Sequence, residues 1–235
     1  MNKNKIALRI LLPLLLIIFH QNLSALNFHV TGREIGSEIK GEYNRALSFS
    51  AGLLAFAGVE INNLYNFKGG LFLGTAGGGL DIRTFIRGRA GPFFGKPFYA
   101  GLAYIYNGLP SFSVHEHTFL PFISYNGKRA GVSIGTGLRF TRFFGEAAVF
   151  ESMFSVSAYF NFINNDKLLI GLGLGNFNDF YAGNFSSFTL SVNGLVRLNS
   201  RWAVSGEISI LQSGSTAFAA NFYGVSFQGG ARFTW

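Results

Sequence analysis

The sequence predicts an all-β protein: a single closed antiparallel transmembrane β-barrel of ten to twelve strands behind an N-terminal signal peptide. Three observations predict it. The 235 residues are 49% apolar and 17% aromatic but only 13% charged, about half the roughly 25% charge of a soluble globular chain. Beyond the N-terminus no run of 18 or more apolar residues offers a helical span. The apolar residues instead alternate with Gly, Ser and Asn through segments far longer than the usual strand of about 5–6 residues, and close to the roughly 9–11 that a tilted strand needs to cross a bilayer. Such a composition excludes a disordered chain, and the absence of Cys excludes disulfides, cysteine–zinc sites and a thiol nucleophile.

Residues 1–25 read as the leader. Lys3, Lys5 and Arg9 precede an apolar run over 10–19, and Leu23, Ser24 and Ala25 offer a cleavage point before Leu26. The barrel then spans 26–235. The remaining basic residues are scattered, which argues against nucleic acid as a partner.

The strands follow in order. Leu47, Phe49, Ala51, Leu53, Ala55, Ala57 and Val59 form an outward stripe opposed by Ser48, Ser50, Gly52 and Gly58. After Asn62 and Asn63 the apolar phase is odd at Leu71 and Leu73 but even at Leu80, Ile82 and Ile86. The flip across Gly77, Gly78 and Gly79 is either a bulge, giving ten strands, or a tight hairpin. A hairpin requires 28–39 to be a strand as well, and gives twelve. Because single-chain bacterial barrels keep even strand numbers, eleven is rejected and twelve preferred.

From 129 to 142 the apolar side chains Ala130, Val132, Ile134, Leu138 and Phe140 oppose Gly131, Ser133, Gly135, Gly137 and Arg139. The same alternation recurs over 148–162, 168–175, 187–198, 202–210 and 223–235. Asn126-Gly127, Asn164 to Asp166 and Asn199-Ser200 supply turns at one end of the barrel, with Gly88 to Pro92 before them. Loops at the other end are expected over 108–116 and near 144–145, 178–184 and 213–216. A soluble sandwich would place bulky residues in a shared core and Lys, Glu and Thr on a wet face. The face opposite the apolar one is instead small and sparsely charged, as in the interior of a narrow barrel. In hydrocarbon only closure pairs every backbone polar group.

The C-terminal segment 223–235 ends Gly230-Ala231-Arg232-Phe233-Thr234-Trp235, with a terminal aromatic and apolar residues at alternate positions before it. It resembles the signature of bacterial outer-membrane barrels, at the level of small OmpA-like, OmpW-like and opacity-type proteins. The resemblance implies residence in the outer membrane, contact with its lipids, and recognition by its barrel-assembly machinery through Phe233 and Trp235.

Chemistry is sparse. His115-Glu116-His117 is the one candidate rim cluster for metal or acid–base work, but no third partner is identifiable, and a polar rim in an external loop accounts for it. Gly135-Thr136-Gly137 opens no helix and is no phosphate loop. No cofactor, metal or catalytic residue is assigned. Arg129, Arg139, Glu151, Arg197, Glu207 and Arg232 fall on the small-polar face and are expected to line the lumen, as an internal plug of ion pairs or as the wall of a polar channel. The function expected is non-enzymatic: passive permeation of a small solute or lipid-type ligand, or envelope structure. A surface-adhesion role and, last, a rim lipid-modifying enzyme are the alternatives.

Overall fold

The computed structural model describes residues 29–45, 48–76, 79–91, 96–110, 113–143, 146, 148–176, 187–213 and 222–235. The leader and its cleavage position lie outside them, as do the expected loops at 144–145 and 178–184 and most of that at 213–216. Twelve strands follow one another: β1 (Val30–Asn44), β2 (Ser48–Ile61), β3 (Tyr65–Ala76), β4 (Gly79–Arg89), β5 (Phe98–Leu109), β6 (Val114–Asn126), β7 (Ala130–Arg142), β8 (Val149–Asn164), β9 (Leu168–Gly175), β10 (Ser187–Arg197), β11 (Trp202–Ser213) and β12 (Phe222–Thr234). Each pairs antiparallel with its sequence neighbours, and β1 pairs with β12 to close the barrel. Ala76 pairs with Gly79, so the phase flip is a hairpin and the total is twelve. Arg33 and Trp235 exchange backbone hydrogen bonds at 3.2 and 3.1 Å, which seals the seam. Among the described residues no helix is long and apolar enough to cross a membrane.

Turn chemistry explains the hairpins at the termini end, where β1 begins and β12 ends. Asn62 and Asn63 both adopt positive φ, as the mirror-image turns favoured in hairpins require. Asn165 accepts bonds from the amides of Lys167 and Leu168, and Asn199 accepts the equivalent pair from Arg201 and Trp202. Both are side-chain mimics of a backbone turn. At the opposite end the expected loop 108–116 is shorter than foreseen. Strand β6 begins at Val114, because His115, Glu116 and His117 pair with Gly108, Asn107 and Tyr106 of β5.

Register separates two surfaces. Leu174, Leu190, Ile210 and Val225 occupy consecutive partner positions on β9 to β12, and all four point outward. One residue along, Gly173, Ser191, Ser209 and Ser226 form a parallel row facing the lumen. A band of exposed apolar side chains therefore circles the barrel, with Trp202, Phe233 and Trp235 stacked at the termini end and Tyr104, Phe119, Phe140 and Phe150 near the other. Aromatic girdles about 25 Å apart are the mark of a lipid-facing exterior.

The interior departs from expectation on β2 to β6. There the lumen is not lined by small and polar residues alone. Leu54, Phe56, Phe72, Phe85, Ala103, Ile105, Leu120 and Phe122, joined by Met153 of β8, form a buried apolar cluster inside the barrel. Rings alternate with glycines around the wall: Gly36, Phe56, Gly70 and Phe85 are successive partners across β1 to β4, and Gly101, Phe122 and Gly135 across β5 to β7. The ring of Phe122 lies on Gly101 so closely that a Cβ there would overlap it. Gly101→Ala is therefore expected to destabilise the barrel by about 1–3 kcal/mol through overpacking. Urea unfolding of the refolded protein checks this, and an unchanged midpoint would contradict the packing described.

Candidate functional site: the barrel lumen

Charged residues line the lumen at both ends, with the apolar cluster between them. At the end away from the termini, Arg139 donates through Nε and Nη2 to Glu151, at 2.8 and 2.5 Å, and its Nη1 lies 3.4 Å from Glu116. Asn107 donates to the same Glu116 at 2.7 Å. Lys40 pairs with Glu42 at 3.0 Å and Arg83 with Asp81 at 2.6 Å. These pairs form because side chains two apart on a strand, or opposite across strands, share a face.

At the termini end Glu34 is shared by Lys68 at 3.2 Å and Arg232 at 3.5 Å. Gly58 stands between Glu34 and Lys68 in the register and leaves the gap through which the carboxylate reaches the ammonium; a Cβ at Gly58 would lie 2.7 Å from Glu34 Oε1. Lys68 is only 3% exposed, and its Nζ also sits 3.8 Å from the centre of the Phe56 ring, at the lower edge of the apolar cluster. Arg87 and Arg89 follow on the same face of β4, and the Arg89 guanidinium lies 5.4 Å from the Tyr99 ring centre.

Among the described residues, two cavities in this half border the charged wall. The larger, about 440 Å³, runs along β8 to β12 and is lined largely by hydroxyl, amide and glycine residues, including Ser157, Thr189, Ser191, Asn193 and Ser205, with Glu38, Glu207 and Arg232 as its charges alongside Lys68. The smaller, about 340 Å³, is lined by Glu34, Glu60, Lys68, Arg87, Arg89, Tyr99 and Arg232 among others. Lys68 and Arg232 are common to both. Deeper in the lumen Leu120, Thr118, Ser155 and Ile105 are at most 2% exposed, which marks a constriction.

The six charged residues singled out from sequence do not meet in one place. Arg139 and Glu151 pair at one end. Arg232 and Glu207 line the cavities at the other, where Glu207 accepts from Ser209 Oγ at 2.7 Å. Arg197 sits at the edge and donates to the Asn165 carbonyl at 2.7 Å. Arg129 lies exposed in the turn between β6 and β7 rather than on the wall. The sequence reading missed Glu34, Glu38, Lys40, Glu42, Lys68, Asp81, Arg83, Arg87 and Arg89. Their signal was present: on β4 Asp81, Arg83, Arg87 and Arg89 alternate with Leu80, Ile82 and Ile86.

The rim triplet is divided by the strand's own alternation. Glu116 faces the lumen, whereas His115 and His117 lie on the outer face, bonded through Nδ1 to the hydroxyls of Tyr106 and Tyr104 at 2.8 and 2.9 Å. The triplet therefore forms no acid–base set. Among the described residues no group of three His, Asp or Glu side chains stands together to hold a metal.

No protein family's sequence profile matches the chain, and no curated protein sequence matches it. Solved structures do resemble it. The KdgM porin in complex with disordered oligogalacturonate superposes with a TM-score of 0.57 at 10% identity, over 86% of this chain and 99% of that one. The translocator domain of the autotransporter NalP from Neisseria meningitidis gives 0.57 at 12%, over 98% and 97%. The NanC porin gives 0.56 at 9%, over 84% and 98%. At these identities the likeness establishes the fold, a closed antiparallel barrel of the kind seen in outer-membrane proteins.

Proposed function

We propose that this chain is an outer-membrane barrel of a diderm bacterium that lets small polar solutes pass by passive diffusion. The observation that carries the reading is the larger cavity: a space of about 440 Å³, lined largely by hydroxyl, amide and glycine residues with four charged side chains, inside a barrel whose exterior is an apolar band between aromatic girdles. The porin folds that the chain resembles support it, as does the leader read at 1–25. The short turns at the termini end would face the periplasm, as in bacterial barrels generally. Phe233 and Trp235 stack on each other beside Trp202 at the seam, which supports reading them as a signal to an assembly machinery on the last strand. The packed ring-and-glycine cluster favours a second reading, in which the barrel is a structural element of the envelope.

Reconstitution into planar bilayers separates the two. Permeation predicts discrete conductance steps in potassium chloride, and swelling of proteoliposomes in a small sugar. A folded barrel that produces neither leaves the structural reading in place and ends the permeation one.

A further inference from the structure

We propose that the outer face of β5 to β7, at the end away from the termini, is a docking site for the phosphate headgroup of a membrane lipid. The site requires a barrel resident in a membrane but not a permeant one. Lipid-facing strand positions are almost free of charge, because an ionisable group beside hydrocarbon is costly. On the outward positions of the described strands, a charged or imidazole side chain stands only at Arg33, His115, His117 and Arg142. Arg33 is alone at the termini end. The other three adjoin: His115 and Arg142 are direct partners across β6 and β7, and His117 follows two residues along on the same face.

Their depth suits a headgroup. Phe140, the partner of His117, packs edge-on against Phe119 and Phe150, rings of the girdle that marks the boundary between water and hydrocarbon. Toward the middle of the band follow Leu102 and Leu138, both exposed, which the acyl chains of the same lipid would cover. Their charge suits a phosphate. Glu116 and Glu151 point into the lumen, where Arg139 pairs with both, and Glu146 lies in the connection after β7. No carboxylate therefore shares the outward surface of β4 to β8 among the described residues, and within them Arg142 has no partner.

The imidazoles are already oriented. The Tyr106 and Tyr104 hydroxyls hold Nδ1 of His115 and His117 at 2.8 and 2.9 Å, and Nε2 is the ring nitrogen left without a partner among the described residues. A hydroxyl that donates to Nδ1 leaves the proton on Nε2, so each ring offers an N–H donor beside a guanidinium fork that matches two phosphate oxygens. A metal ion needs the opposite tautomer, with a lone pair on Nε2, and would sit beside the Arg142 cation. An anion meets neither obstacle.

The test uses the full chain folded in detergent micelles doped with equal amounts of phosphatidic acid and phosphatidylcholine, with bound lipid counted by native mass spectrometry. The native protein should retain phosphatidic acid over phosphatidylcholine by about fivefold, the upper end for an ion pair open to water. His115→Gln/His117→Gln/Arg142→Gln should retain the two alike, whereas Arg33→Gln should keep the native preference. Tyr104→Phe/Tyr106→Phe, which frees both imidazoles, should weaken it. If the triple variant does not fold, Arg142→Gln alone should still reduce the preference. Equal retention of the two lipids by the native protein, or an undiminished preference in the variants at His115, His117 and Arg142, overturns the assignment. So does displacement of phosphatidic acid by an equal concentration of inorganic phosphate, which would make the patch a site for the free anion. A native dimer that the triple variant cannot form, with no lipid preference, would overturn it in favour of a contact with a second copy. Retention is read without a conductance, so its failure leaves permeation standing, and a barrel silent in planar bilayers leaves this site standing.

Discussion

Leu190→Arg is expected to destabilise the folded barrel by about 2–4 kcal/mol, while Ser191→Arg, one residue away, costs clearly less. Leu190 lies in an unbroken outward row with Leu174, Ile210 and Val225. A guanidinium there must enter hydrocarbon, and its stem is too short to carry the charge out of the middle of the band without deforming the bilayer. Ser191 borders the larger cavity instead, a space whose lining carries Glu207 and Glu38 beside Lys68 and Arg232. An arginine at that position has room and carboxylates within the same chamber. Denaturant unfolding of the barrel in phospholipid vesicles reads both penalties. Equal losses at the two positions would mean that the surfaces are assigned wrongly, and with them the membrane.

The outer surface was legible in the sequence because lipid imposes a simple demand: every second residue apolar, along a strand long enough to cross. Val132, Ile134 and Leu138 satisfied it against Gly131, Ser133 and Gly137, and the structure turns them outward. The interior was less legible where both faces are apolar. On β2, Leu53 points out and Leu54 points in; on β6, Phe119 points out and Leu120 in. A period of two has no contrast in such a stretch, so the inward half of the pattern vanished and the lumen was expected to be small and polar throughout. The strand β1 was obscured for another reason. Its outward positions include Ser37 and Gly41 beside Ile35 and Ile39, so the stripe is weak and the alternating Glu34, Glu38, Lys40 and Glu42 behind it passed unnoticed. What the sequence could not disclose is proximity across strands. Only register brings Lys68 against Arg87, or carries Glu34 over Gly58 to the same lysine.

Leu120→Ala is expected to cost about 2–5 kcal/mol in stability, the range for deleting a fully buried leucine side chain, and to widen the passage. Leu120 is fully enclosed, in a cluster that includes Ala103 and Ile105 of β5, Phe122 of its own strand and Met153 of β8. Rings seated on glycines leave the cluster little freedom to close over the gap, so the lost volume should remain as space. That space lies at the constriction beyond the two cavities. Its removal should raise the unitary conductance in planar bilayers by about twofold or more, since a hydrophobic narrowing limits ion passage by excluding water. Phe119→Ala, the adjacent change on the outer face, removes a larger side chain from the lipid surface and should leave conductance unaltered. A Leu120→Ala barrel that unfolds more easily but conducts no better would show that the cluster braces β2 to β6 without standing in the path, and that solutes move along the hydroxyl-lined wall of β8 to β12 alone.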